Sequence, residues 1–318
     1  MLPILVYGYY GHSNIGDELF KNVFQKMFPN YRFIFSDIIN NDLLEKTSSV
    51  FFGGGSFLFS DTGIDHNCLN QLQKKYIFYL GVGGETDIHP IHQKLMKLAQ
   101  LIAVRSLANI EYIKSLNSKT IYIPDLIFFL KPKISSEKIK KSVLIIPNMS
   151  VIPMHDEPHW KHISFSYFKN EFSQFLDYLI EDGYKIGFLP MSIDPMFSDR
   201  ASAIEIINAM KHRDDYHLPW ISYFPSLTEL ISQYETVISQ RYHGAILAEM
   251  CRVPYISLFH HDKLKNNYYN RGISIPYYGI YKSDLISKFN ELRSMNLPLL
   301  PEEEIFNTLR QAVEIIDG

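Results

Sequence analysis

The chain has 318 residues, of which 46% are hydrophobic and 20% charged, and its formal net charge is −3. At roughly 150 residues per domain this length favours two globular domains. The slightly acidic balance argues against a nucleic-acid-binding protein, which needs a basic surface. The two cysteines, Cys68 and Cys251, cannot form a disulfide framework or a zinc knuckle, and we expect both to be small buried side chains in a reducing compartment.

The first residues do not resemble a signal peptide, because they lack a basic start and their apolar run is interrupted at Gly8. No apolar run reaches the roughly 20 residues that span a bilayer. The sequence therefore predicts a cytoplasmic location.

Short apolar, β-branched runs alternate with amphipathic stretches along the first part of the chain. This rhythm is typical of βα units on a parallel sheet that is covered on both faces. The predicted strands are 4–7, 33–36, 50–52, 76–80, 101–104 and 120–123, and the predicted helices are 16–27, 67–74, 90–100 and 107–116.

A polar and basic stretch at residues 131–141, which Pro132 keeps from regular structure, indicates a domain boundary. We predict domains of 1–138 and 139–318. The second domain has predicted strands at 142–146, 185–189, 236–239 and 255–258, and predicted helices at 165–181, 201–211, 227–234 and 244–251. Two further helices, 282–295 and 302–316, are candidates for packing back across the junction.

The predicted fold is therefore α/β, with two doubly wound, Rossmann-like domains facing each other across a cleft. This is the glycosyltransferase-B-like architecture. In open parallel sheets ligands bind beyond the carboxyl ends of the strands, so the loops after the strands are the places to look for a site.

Glycine-rich loops follow three predicted strands of the first domain. The first loop contains Gly11, Asn14 and Gly16 and ends in Asp17 and Glu18. It does not match GxGxxG, so a dinucleotide fingerprint is not supported. A simple turn whose acidic residues complement the helix dipole is the alternative to a ligand-binding loop.

The second loop has Gly54 and Gly55 within a run of three glycines, and the third contains Gly83. Glycine allows a ligand or another backbone segment to approach closely. Three such loops after three strands of one sheet indicate one wall of the cleft.

Arg105 is predicted at the end of strand 101–104, where its guanidinium would reach the mouth of the cleft. A surface arginine that extends off the sheet is the alternative. Asp125 follows the next strand, and we interpret it as a helix N-cap or turn residue.

The most specific candidate site is the segment Ser239-Gln240-Arg241-Tyr242-His243-Gly244, in which a strand ends and a helix begins at once. Amides at the start of a helix attract phosphate or carboxylate. Arg241 can hold such a group with two nitrogens, and His243 can exchange protons near neutral pH. Lys263, after the next strand, would add a second cation unless it is an ordinary solvated lysine.

The order and spacing of these features, from residue 4 to about residue 270, resemble the polysaccharide pyruvyl transferase family. The specific part of the resemblance is Arg241-Tyr242-His243-Gly244 together with Asn14-Ile15-Gly16-Asp17. Residues 147–215 carry little of the family's pattern.

The resemblance implies a glycosyltransferase-B-like fold and transfer of the enolpyruvyl unit of phosphoenolpyruvate onto two hydroxyls of a glycan or lipid-linked sugar. The products are a cyclic pyruvate ketal and phosphate. It implies donor binding at Arg105, His243 and Lys263, with Arg241 in the same motif. Phosphoenolpyruvate is a co-substrate here, and no cofactor is expected.

The chemistry of this reaction suits these residues, since the donor carries a carboxylate and a phosphate, and its CH2 carbon must be protonated. We assign His243 as the acid, or as proton donor to the leaving phosphate, and Asp17 as the acceptor-binding residue or base. The assigned donor-binding residues are Arg105, Arg241, Gly244 and Lys263.

Residues 155–162 are rich in metal-ligand types but do not form HExxH, and Pro158 interrupts the helix that would align two ligands. We favour a loop that contributes to acceptor binding over a metal site. No other motif requires a metal.

Two other functions stay open. A glycosyltransferase with a nucleotide-sugar donor would use the same cleft for a diphosphate, and a catalytically inactive sugar- or anion-binding protein would keep the same fold. The expected partners are phosphoenolpyruvate and a sugar or polysaccharide precursor, with peripheral membrane contact where the acceptor is lipid-linked, and no nucleic acid.

Overall fold

The computed structural model describes residues 2–84, 87–153, 155–194, 198–213, 216–217, 219, 221–259, 272–296 and 300–317. The chain forms two compact units. One is Met1–Lys131 with Pro301–Gly318, and the other is Pro132–Leu300. The sequence places the boundary after residue 138, whereas the compact units divide between Lys131 and Pro132.

The basic stretch after Pro132 belongs to the second unit because its backbone is bound there. The amide of Lys133 donates to Thr228 Oγ1 (3.0 Å), and the amide of Ser135 donates to Ser232 Oγ (2.8 Å). These bonds hold a segment without regular structure against a helix of the second unit.

The first unit contains a parallel sheet, with six strands among the described residues. The strands are β1 (Ile4–Tyr7), β2 (Phe33–Ser36), β3 (Ser49–Gly55), β4 (Tyr76–Val82), β5 (Leu101–Val104) and β6 (Thr120–Tyr122). Their spatial order is β2-β1-β3-β4-β5-β6. Strands β1, β3 and β5 are buried along their whole length, which explains why they appear in the sequence as unbroken apolar runs.

The helices of this part are α1 (Ile15–Met27), α2 (Asn41–Glu45), α3 (Leu69–Leu72), α4 (Pro90–Met96) and α5 (Ile110–Leu116), with 3₁₀ turns at His66–Cys68 and Leu126–Phe129. Helix α1 buries Phe20 and Phe24, which are four residues apart and therefore lie on one face. Helix α2 was not predicted, and the predicted helix 67–74 is a 3₁₀ turn followed by the short α3.

The second unit also contains a parallel sheet, again with six strands among the described residues. They are β7 (Ser142–Ile146), β8 (Lys185–Phe188), β9 (Tyr216–His217), β10 (Thr236–Ser239), β11 (Tyr255–Phe259) and β12 (Ile273–Pro276). The order is β12-β11-β10-β7-β8-β9. The edge strands β9 and β12 were not predicted. Strand β9 has two residues and β12 ends in a proline, so neither has the sequence pattern of a buried strand.

The helices of the second unit are α6 (His159–Glu181), α7 (Asp199–Ala209), α8 (Phe224–Gln233), α9 (Tyr242–Met250) and α10 (Lys282–Ser294), with a 3₁₀ turn at Met149–Val151. Helix α6 begins directly after Pro158 and is longer than predicted. It packs Phe168, Phe172 and Phe175 into the core of the unit, where α10 also packs through Phe289.

The last helix, α11 (Glu302–Asp317), returns to the first unit. Its buried residues Ile305, Leu309 and Ala312 form one helical stripe, and Phe306 stacks on Phe129 with ring centroids 5.0 Å apart. Helix α10 instead stays with the second unit.

None of the helices in the described part of the chain has the length and apolarity required to cross a membrane.

Candidate functional site

The loops that follow the strands of the first sheet are joined by backbone hydrogen bonds. Gly8 N donates to Ser36 O (3.1 Å), which connects the ends of β1 and β2. Gly83 N donates to Gly55 O (3.0 Å), which connects the ends of β4 and β3. All strands of the sheet are parallel, so these loops lie at one edge, where α/β proteins bind ligands.

Asp17 is the acidic residue that the sequence singles out at this edge. Helix α1 is capped by Asn14, whose side chain accepts a hydrogen bond from Gly16 N (3.3 Å). Asp17 lies in the first turn, where the helix dipole favours a carboxylate, and it is only 8% exposed. The side chain of Asp17 comes close to Gly55, since a Cβ on Gly55 would lie 3.5 Å from Asp17 Oδ1.

The glycine run at the end of β3 has a physical cause. Gly54 has φ +69° and Gly55 has φ +104°, which side chains rarely adopt. A Cβ on Gly54 would lie 2.3 Å from the Phe20 ring. The run therefore lets the loop turn tightly over α1 and brings its backbone beside Asp17.

Burial, followed by the charges of Asp17 and Glu18, raises the pKa of Tyr10 well above its usual value. The hydroxyl of Tyr10 donates to Gly53 O (2.7 Å). The neutral phenol therefore fastens the loop after β1 to the glycine run.

Arg105 lies where the sequence predicts it, directly after β5, but its guanidinium is buried. Its Nη1 donates to Asp125 Oδ2 (2.6 Å), its Nη2 lies 3.4 Å from Ser56 Oγ, and the side chain is 2% exposed. Asp125 also accepts from Ile127 N (2.9 Å) as the N-cap of the 3₁₀ turn, which confirms the structural role predicted for it.

The start of α9 in the second unit collects the other candidate residues. Arg241 is the N-cap residue, Tyr242 begins the helix, and the half-buried His243 lies in its first turn. The His243 ring contacts the Tyr242 ring edge-on at 5.3 Å. Because α9 follows β10 directly, this first turn lies at the carboxyl edge of the second sheet.

The guanidinium of Arg241 is held by Asp199. Nε lies 3.1 Å from Asp199 Oδ2 and Nη2 lies 2.5 Å from Oδ1, a two-nitrogen pairing. Arg241 remains 20% exposed, and its Nη1 has no hydrogen-bonding partner within the residues that the structure describes.

Asp199 is fully buried at the start of α7 and connects three loops. It accepts from the amide of Met149 (3.0 Å) after β7 and from the amides of Met191 (3.0 Å) and Ser192 (2.9 Å) after β8. With Arg241 after β10, it fixes the loops of three adjacent strands. These donors satisfy the hydrogen-bonding capacity of the carboxylate in a buried position.

Gly244 has a packing role in α9. A Cβ on Gly244 would lie 2.3 Å from Ser239 Oγ and 2.9 Å from Ile146 Cδ1. Ser239 Oγ in turn accepts from Arg241 N (3.1 Å) and donates to Arg241 O (2.8 Å). A glycine is therefore required for α9 to start close to β7 and β10.

The candidate residues of each unit are thus gathered at the carboxyl edge of its own sheet. The first unit holds Asp17, Gly55 and Arg105, and the second holds Arg241 and His243. Lys263 lies outside the described residues, as do its neighbours in the loop after β11.

The segment 155–162, which we interpret from the sequence as a loop that contributes to acceptor binding, is helical from His159, where α6 begins. Within the described ranges, no three His, Cys, Asp or Glu side chains converge in a way that would hold a metal ion.

Two residues with a clear place in these sites were missed from the sequence. The sequence offers one signal for Asp199. It follows Ser198 just before an apolar periodic stretch, a pattern that is common at the start of a helix. Nothing in the sequence relates it to Arg241, which comes 42 residues later. Ser56 follows the glycine run and gave no signal of its proximity to Arg105.

Comparison with known proteins identifies the family. The family model described as polysaccharide pyruvyl transferase matches residues 14–261, which is more than half of the chain. Among curated proteins, none matches the chain.

Solved structures show a shared fold at low sequence identity. UDP-GlcNAc 2-epimerase from Methanocaldococcus jannaschii, in complex with UDP-GlcNAc and UDP, has a TM-score of 0.60 and 10% identity over 100% of this chain and 99% of that chain. UDP-GlcNAc 2-epimerase from Neisseria meningitidis, bound to UDP-GlcNAc, has a TM-score of 0.57 and 12% identity over 99% of each chain. MurG from Acinetobacter baumannii has a TM-score of 0.51 and 11% identity over 99% of this chain and 98% of that chain.

These similarities confirm the predicted α/β fold with two parallel sheets as glycosyltransferase-B-like. The family match extends over both units and includes Asp17, Arg105, Arg241 and His243. The chain therefore belongs to the polysaccharide pyruvyl transferase family and is a transferase.

Proposed function

We propose that this protein transfers the pyruvyl group of phosphoenolpyruvate onto two hydroxyls of a sugar, forming a cyclic ketal and releasing phosphate. The observation that carries the proposal is the start of α9. Arg241, which is fixed by the buried Asp199, and His243 both lie at this helix N-terminus. The family match supplies the reaction class.

The start of α9 suits a small dianion for three reasons. Helix N-termini favour negative charge. Arg241 is held in one orientation, so it loses little side-chain entropy on binding. Its Nη1 has no partner in the described part of the chain, and His243 is only half-buried in the adjacent turn.

The reaction is balanced by two proton transfers. The first sugar hydroxyl adds its oxygen to C2 of phosphoenolpyruvate, while C3 gains a proton and becomes a methyl group. The second hydroxyl then adds to C2, and the bond between C2 and the phosphate oxygen breaks. The two hydroxyl protons are thus balanced by one on the methyl group and one on the released phosphate.

His243 is the proposed acid, either toward C3 or toward the leaving phosphate, since imidazole can change protonation near neutral pH. Asp17 is the proposed acceptor-binding residue or base in the first unit, supported by its position beside Gly55 at the ligand-binding edge of the sheet. The loop residues proposed to surround the substrates are Gly11, Asn14, Gly16, Gly54, Gly55 and Gly83.

Arg241 is the main proposed donor ligand, with Gly244 allowing α9 to begin close to the sheet. Arg105 and Lys263 are proposed to add positive charge. Because Arg105 is buried and paired with Asp125, we assign it a smaller share of direct contact than Arg241.

The proposed acceptor is a sugar or polysaccharide precursor in the cytoplasm, at the membrane surface where that precursor is lipid-linked. The proposed reaction needs no resident cofactor, because phosphoenolpyruvate supplies both the transferred carbon unit and the leaving group.

The second candidate is a glycosyltransferase with a nucleotide-sugar donor. It is favoured by the fold, since two of the similar structures are described with UDP-GlcNAc bound. The same helix start and arginine would then receive a diphosphate.

Thermal denaturation with each donor separates the two candidates. A ligand at 100 times its Kd stabilises a protein by about 2.7 kcal/mol. We expect phosphoenolpyruvate to raise the Tm, UDP-GlcNAc and GDP-mannose to leave it unchanged, and Arg241→Gln to remove the shift. Arg293→Gln, an exposed arginine of α10, is the matched control.

Phosphate release with a panel of methyl glycosides tests the transfer itself. In D2O the new ketal methyl group is expected to carry one deuterium from solvent. A Tm shift with a nucleotide sugar alone, with no phosphate released from phosphoenolpyruvate, would contradict pyruvyl transfer and favour glycosyl transfer.

A further inference from the structure

We propose that Tyr9, His12 and Asp37 form a binding subsite for the acceptor sugar in the first unit. This cluster, called here the Tyr9–His12–Asp37 subsite, is separate from the residues assigned to the donor. The inference rests on the proposed function, because it takes the acceptor to be a sugar.

The subsite is built at the ligand-binding edge of the first sheet. Tyr9 and His12 lie in the loop after β1, and Asp37 directly follows β2, the strand that pairs with β1. The imidazole Nε2 of His12 lies 2.8 Å from Asp37 Oδ2. The rings of Tyr9 and His12 are stacked, with centroids 4.0 Å apart and planes 9° from parallel.

All three side chains face solvent despite these contacts. Tyr9 is 41% exposed, and the side chains of His12 and Asp37 are 31% and 46% exposed. An ordered aromatic ring, imidazole and carboxylate are therefore presented together at the surface rather than used to hold the core.

The loop that carries Tyr9 and His12 is held firmly. Gly11 N donates to Glu18 Oε1 at 2.6 Å, and the hydroxyl of Tyr10, which lies between Tyr9 and His12 in the sequence, donates to Gly53 O. Ser13 has φ 53°, an uncommon conformation for a residue with a side chain. Such conformations persist where the surroundings enforce them and are concentrated at functional sites.

The chemistry of the subsite suits a neutral polyol. An aromatic ring provides a flat apolar surface for the C–H face of a pyranose, while a carboxylate accepts hydrogen bonds from hydroxyls and an imidazole can donate or accept them. The Asp37 charge beside His12 disfavours a second anion, so phosphoenolpyruvate is not the expected occupant of this position.

Saturation-transfer NMR without phosphoenolpyruvate tests the subsite directly, using the methyl glycosides of glucose, mannose and galactose as probes. We expect saturation transfer to at least one glycoside from the wild-type protein. Tyr9→Ala and His12→Ala should each weaken its binding by about tenfold, the loss expected from roughly one strong contact. Tyr9→Phe should bind nearly as well, because it keeps the ring.

A matched control exists in the same unit. His66 and Asp61 form a similar exposed pair, with Nε2 2.6 Å from Oδ2, but no aromatic ring stacks on His66 among the residues that the structure describes. His66→Ala should leave glycoside binding unchanged. Equal Tm values for the variants would show that the fold is retained.

The outcomes separate this inference from the proposed function. Absence of saturation transfer to all three glycosides, or equal binding by the wild type, Tyr9→Ala and His12→Ala, overturns the subsite whatever the donor. Loss of binding in these variants supports the subsite even if no phosphate is released. Where pyruvyl transfer to the glycoside does occur, His12→Ala should raise the KM for the glycoside and leave the KM for phosphoenolpyruvate unchanged.

Discussion

Arg241 and Asp199 meet through two nitrogens and two oxygens, although one residue is the N-cap of α9 and the other begins α7. The pairing fixes the guanidinium before any ligand arrives. Removing one partner of a buried ion pair is strongly destabilising, because the remaining charge loses its compensation. The pair therefore links the stability of the second unit to the geometry of its candidate site.

Asp199→Asn should destabilise the second unit by roughly 3–5 kcal/mol, since the substitution removes the buried carboxylate that offsets Arg241. Differential scanning calorimetry should show the loss as a lower Tm. Asp182→Asn, which alters an exposed aspartate 3.7 Å from Lys141, should change the Tm little. Equal effects of the two substitutions would mean that Asp199 does not organise the site.

His243→Ala should abolish phosphate release while leaving the fold intact, because the proposed proton donor is removed from a half-buried position. Phosphate release and circular dichroism on the same preparation provide the measurement. His212→Ala, in the same unit and paired with Glu181, is the control and should keep full activity. Retained turnover in His243→Ala would exclude His243 from the chemical step.

Gly244→Ala should destabilise the second unit by about 1–3 kcal/mol, the usual cost of overpacking a filled interior. The added Cβ would collide with Ser239 Oγ, which holds the turn at Arg241. Weaker phosphoenolpyruvate binding should accompany the lower Tm. An unchanged Tm would contradict the close packing of α9 on the sheet.

Acidification should weaken the first unit through His92. Burial lowers the pKa of His92 from 6.5 to about 4, and its neutral ring contacts Tyr79 Oη (3.1 Å) and Ser60 O (3.0 Å). Between these two pKa values the unfolded chain binds a proton that the folded chain does not. The contribution of His92 to the free energy of unfolding is therefore fully present above pH 6.5. It is lost as the pH falls toward 4, by about 3 kcal/mol in total.

Urea unfolding of the wild type and His92→Gln between pH 4 and 7 measures this effect. The variant should be less stable at neutral pH but should lose less stability on acidification. Parallel pH profiles of the two proteins would show that another group is responsible.

The sequence predicted the central strands well because burial on both faces gives them an unbroken apolar pattern. The central strands β1, β5, β7 and β10 have the predicted bounds, and so does the half-buried edge strand β2. The short edge strands β9 and β12 depend on pairing with a neighbour and carry no such pattern. Helix α2 has five residues, too few for a helical periodicity to be visible.

The candidate residues were easier to find than their partners. Arg241 and His243 share one short segment with a strand before it and a helix after it, so their proximity can be predicted from the local sequence. The pairing of Arg241 with Asp199, and of His12 with Asp37, depends on which strands lie side by side. Sheet order is a tertiary property that a strand pattern alone does not specify.

The placement of α11 in the first unit has a consequence for synthesis of the protein. Domains usually fold as they emerge from the ribosome, starting with the N-terminal one. Here the N-terminal unit lacks Ile305, Leu309 and Phe306 until all of Pro132–Leu300 has been translated. The surface that α11 will cover must therefore stay exposed to solvent on the nascent N-terminal unit during that interval.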